Sequence, residues 1–322
     1  MSILVYAENR EGKFRKPILE LVSYASALAK MMGSKVVALS VGEVEGSELN
    51  QLAGCGAEKI LTVRNDAFKV FDTQAYTSLL AEAAEHVSAT VVLLANNTSG
   101  KALAPRLSVR LRAGLAPGVT GLPVSTEPFV VNKRVYSGNA QARMEIKTAV
   151  KVLTLMPNSF DIVSNSVQSV TVEFSPVNPV KSLTEVVDVF RQEGKVLLTE
   201  ASVVVSGGWG MKSPDNWQPL VELASLLDGA TACSRPVSDE GWRPHEEHTG
   251  QTGKIIAPDL YIAVGISGAT QHLAGVSSSK YIVAINNDKS APIFEAAQYG
   301  IVGDAGKVLP KLVEAVKNAK GR

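Results

Sequence analysis

A chain of 322 residues exceeds the roughly 100–200 residues of a usual domain, so two domains are expected. Hydrophobic residues make up 45% and charged residues 20%, which excludes a disordered or fibrous chain, and an aromatic share of only 6% favours α/β over an all-β sandwich. Basic and acidic side chains nearly cancel to leave +1, which removes any global electrostatic pull towards nucleic acid or an anionic membrane. No apolar run reaches the roughly 20 residues of a bilayer span, and the opening ILVYAE reads as a strand with no basic leader before it. A cytoplasmic protein without direct membrane insertion is therefore expected. Cys55 and Cys233 stand far apart with no CxxC neighbour, too few for a disulfide framework, a zinc site or an iron–sulfur cluster, and are expected as buried apolar fillers.

In chain order, Ile3 to Ala7 reads as a strand and Pro17 to Met32 as a helix, with proline near its start and Gly33 just past its end. Strands at Lys35 to Val41, Lys59 to Val63 and Thr90 to Ala95 alternate with helices at Ser47 to Leu52 and Thr73 to His86. Continuous apolar strands separated by helices predict a parallel sheet covered on both faces. From Gly114 helical periodicity fades, and Phe129 to Tyr136, Ala142 to Ile146 and Val150 to Leu155 read as an antiparallel extension closed by Val167 to Phe174. Pro176 to Pro179 breaks regular structure, and the charged stretch that follows reads as a passage between domains. A second series holds strands at Ala201 to Val205, Leu260 to Val264 and Tyr281 to Ile285, and helices at Pro214 to Leu227 and Gly306 to Lys317. The fold class is α/β: two domains, 1–185 and 200–322, each a mostly parallel doubly wound sheet flanked by helices, the first with the antiparallel extension, joined by a linker at about 186–199. Ligands bind such sheets at the carboxyl ends of the strands, so the loops after Val205, Val264 and Ile285 should share one crevice.

Two of those loops are built from small residues: SGGWG at Ser206 to Gly210 and GISGATQHLAG at Gly265 to Gly275. Missing side chains let backbone N–H groups approach a phosphate, and a helix start adds partial positive charge. Neither loop matches GxGxxG or a Walker pattern. Polar residues suited to a cofactor lie in the same region, in CSRP (Cys233 to Pro236), TGQTGK (Thr249 to Lys254), Gln271-His272, Asn286 and Asp304. His245 and His248 in PHEEHTG have metal-like spacing but lack a third ligand, and read instead as part of a solvated lid. Lys101, Arg106, Arg110 and Arg112 read as an exposed helix face or a subunit contact. Ser267 lacks the second glycine of a GxSxG elbow, Ala269 standing in its place.

At these residues the chain resembles the α subunits of electron transfer flavoproteins. LYIAVGISGATQHLAG, VAINNDKSAPIF and YGIVGD carry the likeness, while the N-terminal half resembles the family only in its opening strand, length and α/β order. The resemblance implies FAD as cofactor. It implies that Ser234, Arg235, Gln251 and Thr252 flank the isoalloxazine ring, with Thr249 and Gly250 completing their loop and His272 facing the ring's O2 edge. Ser267, Gly268, Ala269, Thr270 and Gln271 would wrap the pyrophosphate and ribityl portion, and Asn286 and Asp304 would address the adenosine end. Reduction places negative charge over N1 and O2, so Arg235 and a protonated or strongly donating His272 suit that edge, with the permanently charged Arg235 dominant.

One departure stands out, because the family's SGGRG is SGGWG here. Trp209 replaces a fixed cation with an indole that either covers the cofactor or touches a partner. The resemblance further implies a heterodimer with an electron transfer flavoprotein β subunit, contacted by the N-terminal domain, and electron flow from flavin dehydrogenases such as acyl-CoA dehydrogenases of fatty acid β-oxidation to a membrane quinone oxidoreductase. The carrier role would require the C-terminal domain to swing about the linker. Two other readings of the fold are an NAD-dependent enzyme and an adenine-nucleotide-binding regulatory module; the missing GxGxxG turn and the lack of a further acid–base pair weigh against the enzyme.

Overall fold

The computed structural model describes residues 1–138, 140–177, 180, 185–188 and 196–321. The chain divides into two compact units, residues 1–135 with 140–190 and residues 191–322 with 136–139. Half of the linker read at 186–199, residues 189–195, lies outside the described set.

The first unit is built on a ten-stranded sheet. Its order runs Ala140–Glu145, Phe129–Val135, Gly114–Val119, Lys151–Leu155, Ala89–Ala95, Ser2–Tyr6, Lys35–Val41, Lys59–Val63 and Val170–Glu173, with the short Ser125–Thr126 pairing against Phe129–Val135. From Gly114–Val119 to Val170–Glu173 every pairing is parallel, and only the pairings made by Phe129–Val135 are antiparallel. Ser2–Tyr6 is buried at all five positions, as a strand covered on both faces must be. Two apolar clusters fill the opposite faces, one containing Leu21, Leu28 and Phe129, the other Leu79, Leu80 and Leu103. The helices end where local chemistry stops them. Gly33 takes the left-handed conformation after Lys16–Met32 and returns its N–H to Ala29, while the Asp72 carboxylate accepts from Gln74 and Ala75 at the start of Thr73–His86.

The mostly parallel α/β architecture with an antiparallel part agrees with the sequence reading, but two strands were assigned to the wrong neighbourhood. Val170–Glu173 does not close the antiparallel extension; it pairs parallel with Lys59–Val63 at the opposite edge of the sheet. Lys151–Leu155 lies in the middle of the sheet, parallel to both Ala89–Ala95 and Gly114–Val119, rather than in the antiparallel extension. Its run Val152 to Leu155 is fully buried, the pattern of a central parallel strand. Gly114–Val119 escaped notice because GLAPGV carries glycine and proline where strands are usually β-branched. Arg106, Arg110 and Arg112 are exposed, as expected of a helix face, and Cys55 is buried and free.

The second unit holds a five-stranded, wholly parallel sheet in the order Ala230–Cys233, Val203–Gly207, Leu260–Val264, Tyr281–Asn286 and Tyr299–Val302. Ala230–Cys233 and Tyr299–Val302 are four residues each, too short to stand out in sequence. The expected helix at Pro214 to Leu227 divides into a tight turn, Pro214–Trp217, and a helix, Gln218–Leu226; the last helix is Ala305–Lys320. Among the described residues no helix is long and apolar enough to cross a membrane.

Gly100 sits where the chain turns from Ala89–Ala95 into the helix Thr98–Arg110, and a Cβ there would overlap the Ala95 carbonyl. Gly100→Ala should therefore lower unfolding free energy by ~3 kcal/mol through backbone displacement, measured by urea denaturation.

Candidate functional site

At the carboxyl edge of the five-stranded sheet the loops after four strands surround a cavity of about 540 Å³. The loop after Val203–Gly207 supplies Trp209 and Gly210, and the loop after Ala230–Cys233 supplies Ser234, Arg235 and Pro236. Gly265, Ile266, Ser267, Ala269, Gln271 and His272 follow Leu260–Val264, and Asn286, Asp288, Ala291 and Pro292 follow Tyr281–Asn286. The shared crevice expected of the loops after Val205, Val264 and Ile285 is present.

Backbone bonds tie these loops to one another. Gly208 and Gly210 donate to the carbonyls of Val264 and Gly265 at 2.8 and 2.9 Å, and Gly265 donates to Ile285 at 2.8 Å. Asn286 Nδ2 donates to the Ile266 carbonyl at 2.9 Å, so a side chain from one strand end fixes the loop from the next. Gly268, at φ +87°, passes so close to Ile293 that a Cβ would lie 2.6 Å from its Cα. The segment 248–252 completes the wall. Thr249 N–H bonds the Cys233 carbonyl at 3.0 Å and Gln251 N–H bonds that of Gln271 at 2.7 Å, which holds the TGQTG loop against the helix Thr270–Val276.

Of the residues predicted from sequence, Trp209, Ser234, Arg235, Thr249, Gly250, Gln251, Thr252, Ser267, Ala269, Gln271, His272 and Asn286 line this one cavity. Gly268, Thr270 and Asp304 are outside the lining set. Asp304 caps the last helix by accepting from Gly306 N–H at 2.9 Å and pairs with Lys212 Nζ at 2.6 Å. Sequence reasoning did not single out Gly210, Pro236, His248, Gly265, Ile266, Asp288, Ala291 or Pro292 as site residues, although each lies within a motif it quoted.

The electrostatics differ from expectation at the histidines. His272 is buried and shares a 2.8 Å hydrogen bond between Nε2 and the Tyr261 hydroxyl. Burial pushes its pKa down to about 4, with a backbone interaction at Thr249 opposing and the nearby His248 adding to the effect. At neutral pH His272 is therefore an uncharged imidazole, which removes the protonated form of the expectation and leaves the neutral, hydrogen-bonding one. Its Nδ1 and that of His248 have no hydrogen-bond partner among the described residues. His248 is also lowered, chiefly by burial. The stretch read as a solvated lid is exposed only in its first part: Pro244, His245 and Glu246 are exposed, whereas Glu247 is 5% and His248 4% exposed, with Arg243 clamping the Glu247 carboxylate through two bonds of 2.8 and 2.7 Å. Among the described residues no group of three or more His, Cys, Asp or Glu could hold a metal. Arg235 lines the cavity while pairing with Asp239 at 3.3 Å.

The site suits a flavin nucleotide on its own chemistry. The glycines bring loop backbone close enough to meet a pyrophosphate, no side chain caps the helix Thr270–Val276, and hydroxyl, amide, imidazole and guanidinium groups line the remaining wall.

The His272 shift has a stability consequence of definite sign. The unfolded imidazole titrates near 6.5 and the folded one near 4, so its contribution is complete above pH 6.5 and is lost as pH falls towards 4. The loss should be on the order of 3 kcal/mol. Chemical denaturation from pH 7 to 4 should show a shallower acid loss for His272→Phe than for the wild type.

Comparison with known proteins agrees with this geometry. Residues 3–179 match the family model described as the electron transfer flavoprotein domain, and residues 197–277 match the electron transfer flavoprotein FAD-binding domain. The chain is 36% identical to an electron transfer flavoprotein subunit alpha of Syntrophomonas wolfei, over 97% of this chain and 98% of that one. It is 35% identical to the corresponding subunit of Bacillus subtilis (98% and 97% covered) and 38% identical to that of Pseudomonas aeruginosa (98% and 100%). Two family models and full-length relatives agree: the chain belongs to the electron transfer flavoprotein α subunits.

Proposed function

We propose that this chain, paired with an electron transfer flavoprotein β subunit, carries electrons from flavin dehydrogenases, such as acyl-CoA dehydrogenases, to a membrane quinone oxidoreductase. It is an electron carrier and not an enzyme in the narrow sense, working in the cytoplasm, with residues 1–185 contacting the β subunit and residues 200–322 holding FAD. The observation that carries this reading is one cavity lined by eleven of the residues that the family resemblance assigns to the cofactor, together with Trp209.

Within it, Ser234, Arg235, Gln251 and Thr252 border the isoalloxazine, with Thr249 and Gly250 shaping their loop. Ser267, Ala269 and Gln271, with the turn made at Gly268 and Thr270, follow the pyrophosphate and ribityl chain, and Asn286 lies at the adenosine end. Asp304 supports that end indirectly, by capping the last helix and holding Lys212. The flavin supplies the redox chemistry when bound. Arg235 offers a permanent positive charge to the ring, and His272 a neutral imidazole fixed by Tyr261.

Coexpression with the β subunit should yield a yellow complex that reduces in one-electron stages under dithionite titration; a colourless, correctly assembled heterodimer contradicts the reading. Replacing Arg235 with Ala should lower the first reduction potential. For a largely exposed charge, worth at most about 1 kcal/mol, the drop is up to roughly 40 mV. An unchanged potential in spectroelectrochemistry means that Arg235 does not face the ring.

A further inference from the structure

Trp209 and Trp242 stack with ring centroids 4.7 Å apart and planes inclined by 17°. Trp209 lines the cavity, yet 52% of its surface stays exposed. Its loop is pinned by the Gly208 and Gly210 bonds, and a Cβ at Gly210 would lie 2.7 Å from Gly265 Cα, so the backbone has no room to retreat. Trp242 is not a lining residue. Its backbone N–H donates to the Val237 carbonyl at 3.1 Å, beyond the short helix Arg235–Asp239 whose first two residues form the adjoining wall.

A half-exposed indole at a cavity wall, with one ring face already covered, leaves a flat apolar surface whose burial against a planar heteroaromatic ring is favourable. The polar groups suited to flavin edges, Ser234, Arg235, Gln251, Thr252 and His272, belong to the same cavity. Trp209 follows the strand next to the one that Ser234 and Arg235 follow, whereas Asn286, Asp288 and Pro292 come at the end of or after a strand two places away from its own.

We propose that Trp209 is a stacking contact for the isoalloxazine ring and that Trp242 is the positioning residue that holds its indole against the cavity. The proposal rests on the flavin reading above. A neutral indole stack supplies affinity through contact area where a fixed cation would supply charge.

The test is equilibrium titration of the flavin-free heterodimer with FAD and, separately, with ADP, which shares the pyrophosphate and adenosine but lacks the isoalloxazine. Trp242→Ala and Trp209→Ala should each weaken FAD about tenfold and leave ADP within about twofold of wild type. Trp242→Phe should restore FAD binding to within about threefold, because a phenyl ring can still stack. If Trp242→Ala does not fold, Trp209→Ala, at a half-exposed position, carries the same comparison. Unchanged FAD affinity in either alanine variant overturns the proposal, as does equal weakening of FAD and ADP, the signature of a collapsed loop. A wild type that binds ADP but not FAD overturns the flavin reading itself, and the proposal with it.

Discussion

The geometry of the cavity depends on the close approach of Gly210 and Gly265. Their loops leave adjacent parallel strands and meet backbone to backbone, Gly210 donating to the Gly265 carbonyl at 2.9 Å, with space for a side chain on neither residue. Gly265 also sits at φ +62°, a conformation that any other residue would occupy under strain. From that contact follow the outward placement of Trp209, the course of Ile266 and Ser267, and the position from which Asn286 can reach the Ile266 carbonyl. A similar device repeats at the other wall, where a Cβ on Gly275 would lie 2.5 Å from Gly250 Cα and the TGQTG loop lies directly on the helix Thr270–Val276. Both walls are therefore set by backbone packing, and the side chains that face the cavity are carried on fixed supports.

Charge is sparse in this cavity. Arg235 is the permanent cation among the described lining residues, and its pairing with Asp239 tempers it. Both histidines are held towards the neutral form by burial. With Trp209 where the family resemblance implies an arginine, electrostatic tuning at this site falls to one largely exposed guanidinium, the Asp288 carboxylate and hydrogen bonds from uncharged groups.

Much of this was legible in the sequence because the chemistry is local. Gly265 to Gly275, the TGQTG loop and Asn286 announce close backbone approach and polar donors by residue type alone, and the strand before each loop is apolar and regular. The misplaced Lys151–Leu155 shows the limit. A buried run of that kind fits a central parallel strand or an antiparallel neighbour equally well, and only the non-local pairing decides between them. The histidine charge states were hidden for the same reason, since the burial of His272 and its bond to Tyr261 arise from packing between a helix and a strand. Nor could residue types reveal that Asp304 is engaged in capping a helix and pairing with Lys212.

The central claim is that the glycine-built edge of the second sheet holds one FAD. Isothermal titration of FAD into the flavin-free heterodimer, with wild-type chain and with Gly265→Val, addresses it most directly. One FAD should bind in this cavity of the α chain in the wild type, and affinity should fall at least about a hundredfold when a β-branched side chain forces the two loops apart. Equal affinity in both proteins would contradict the account.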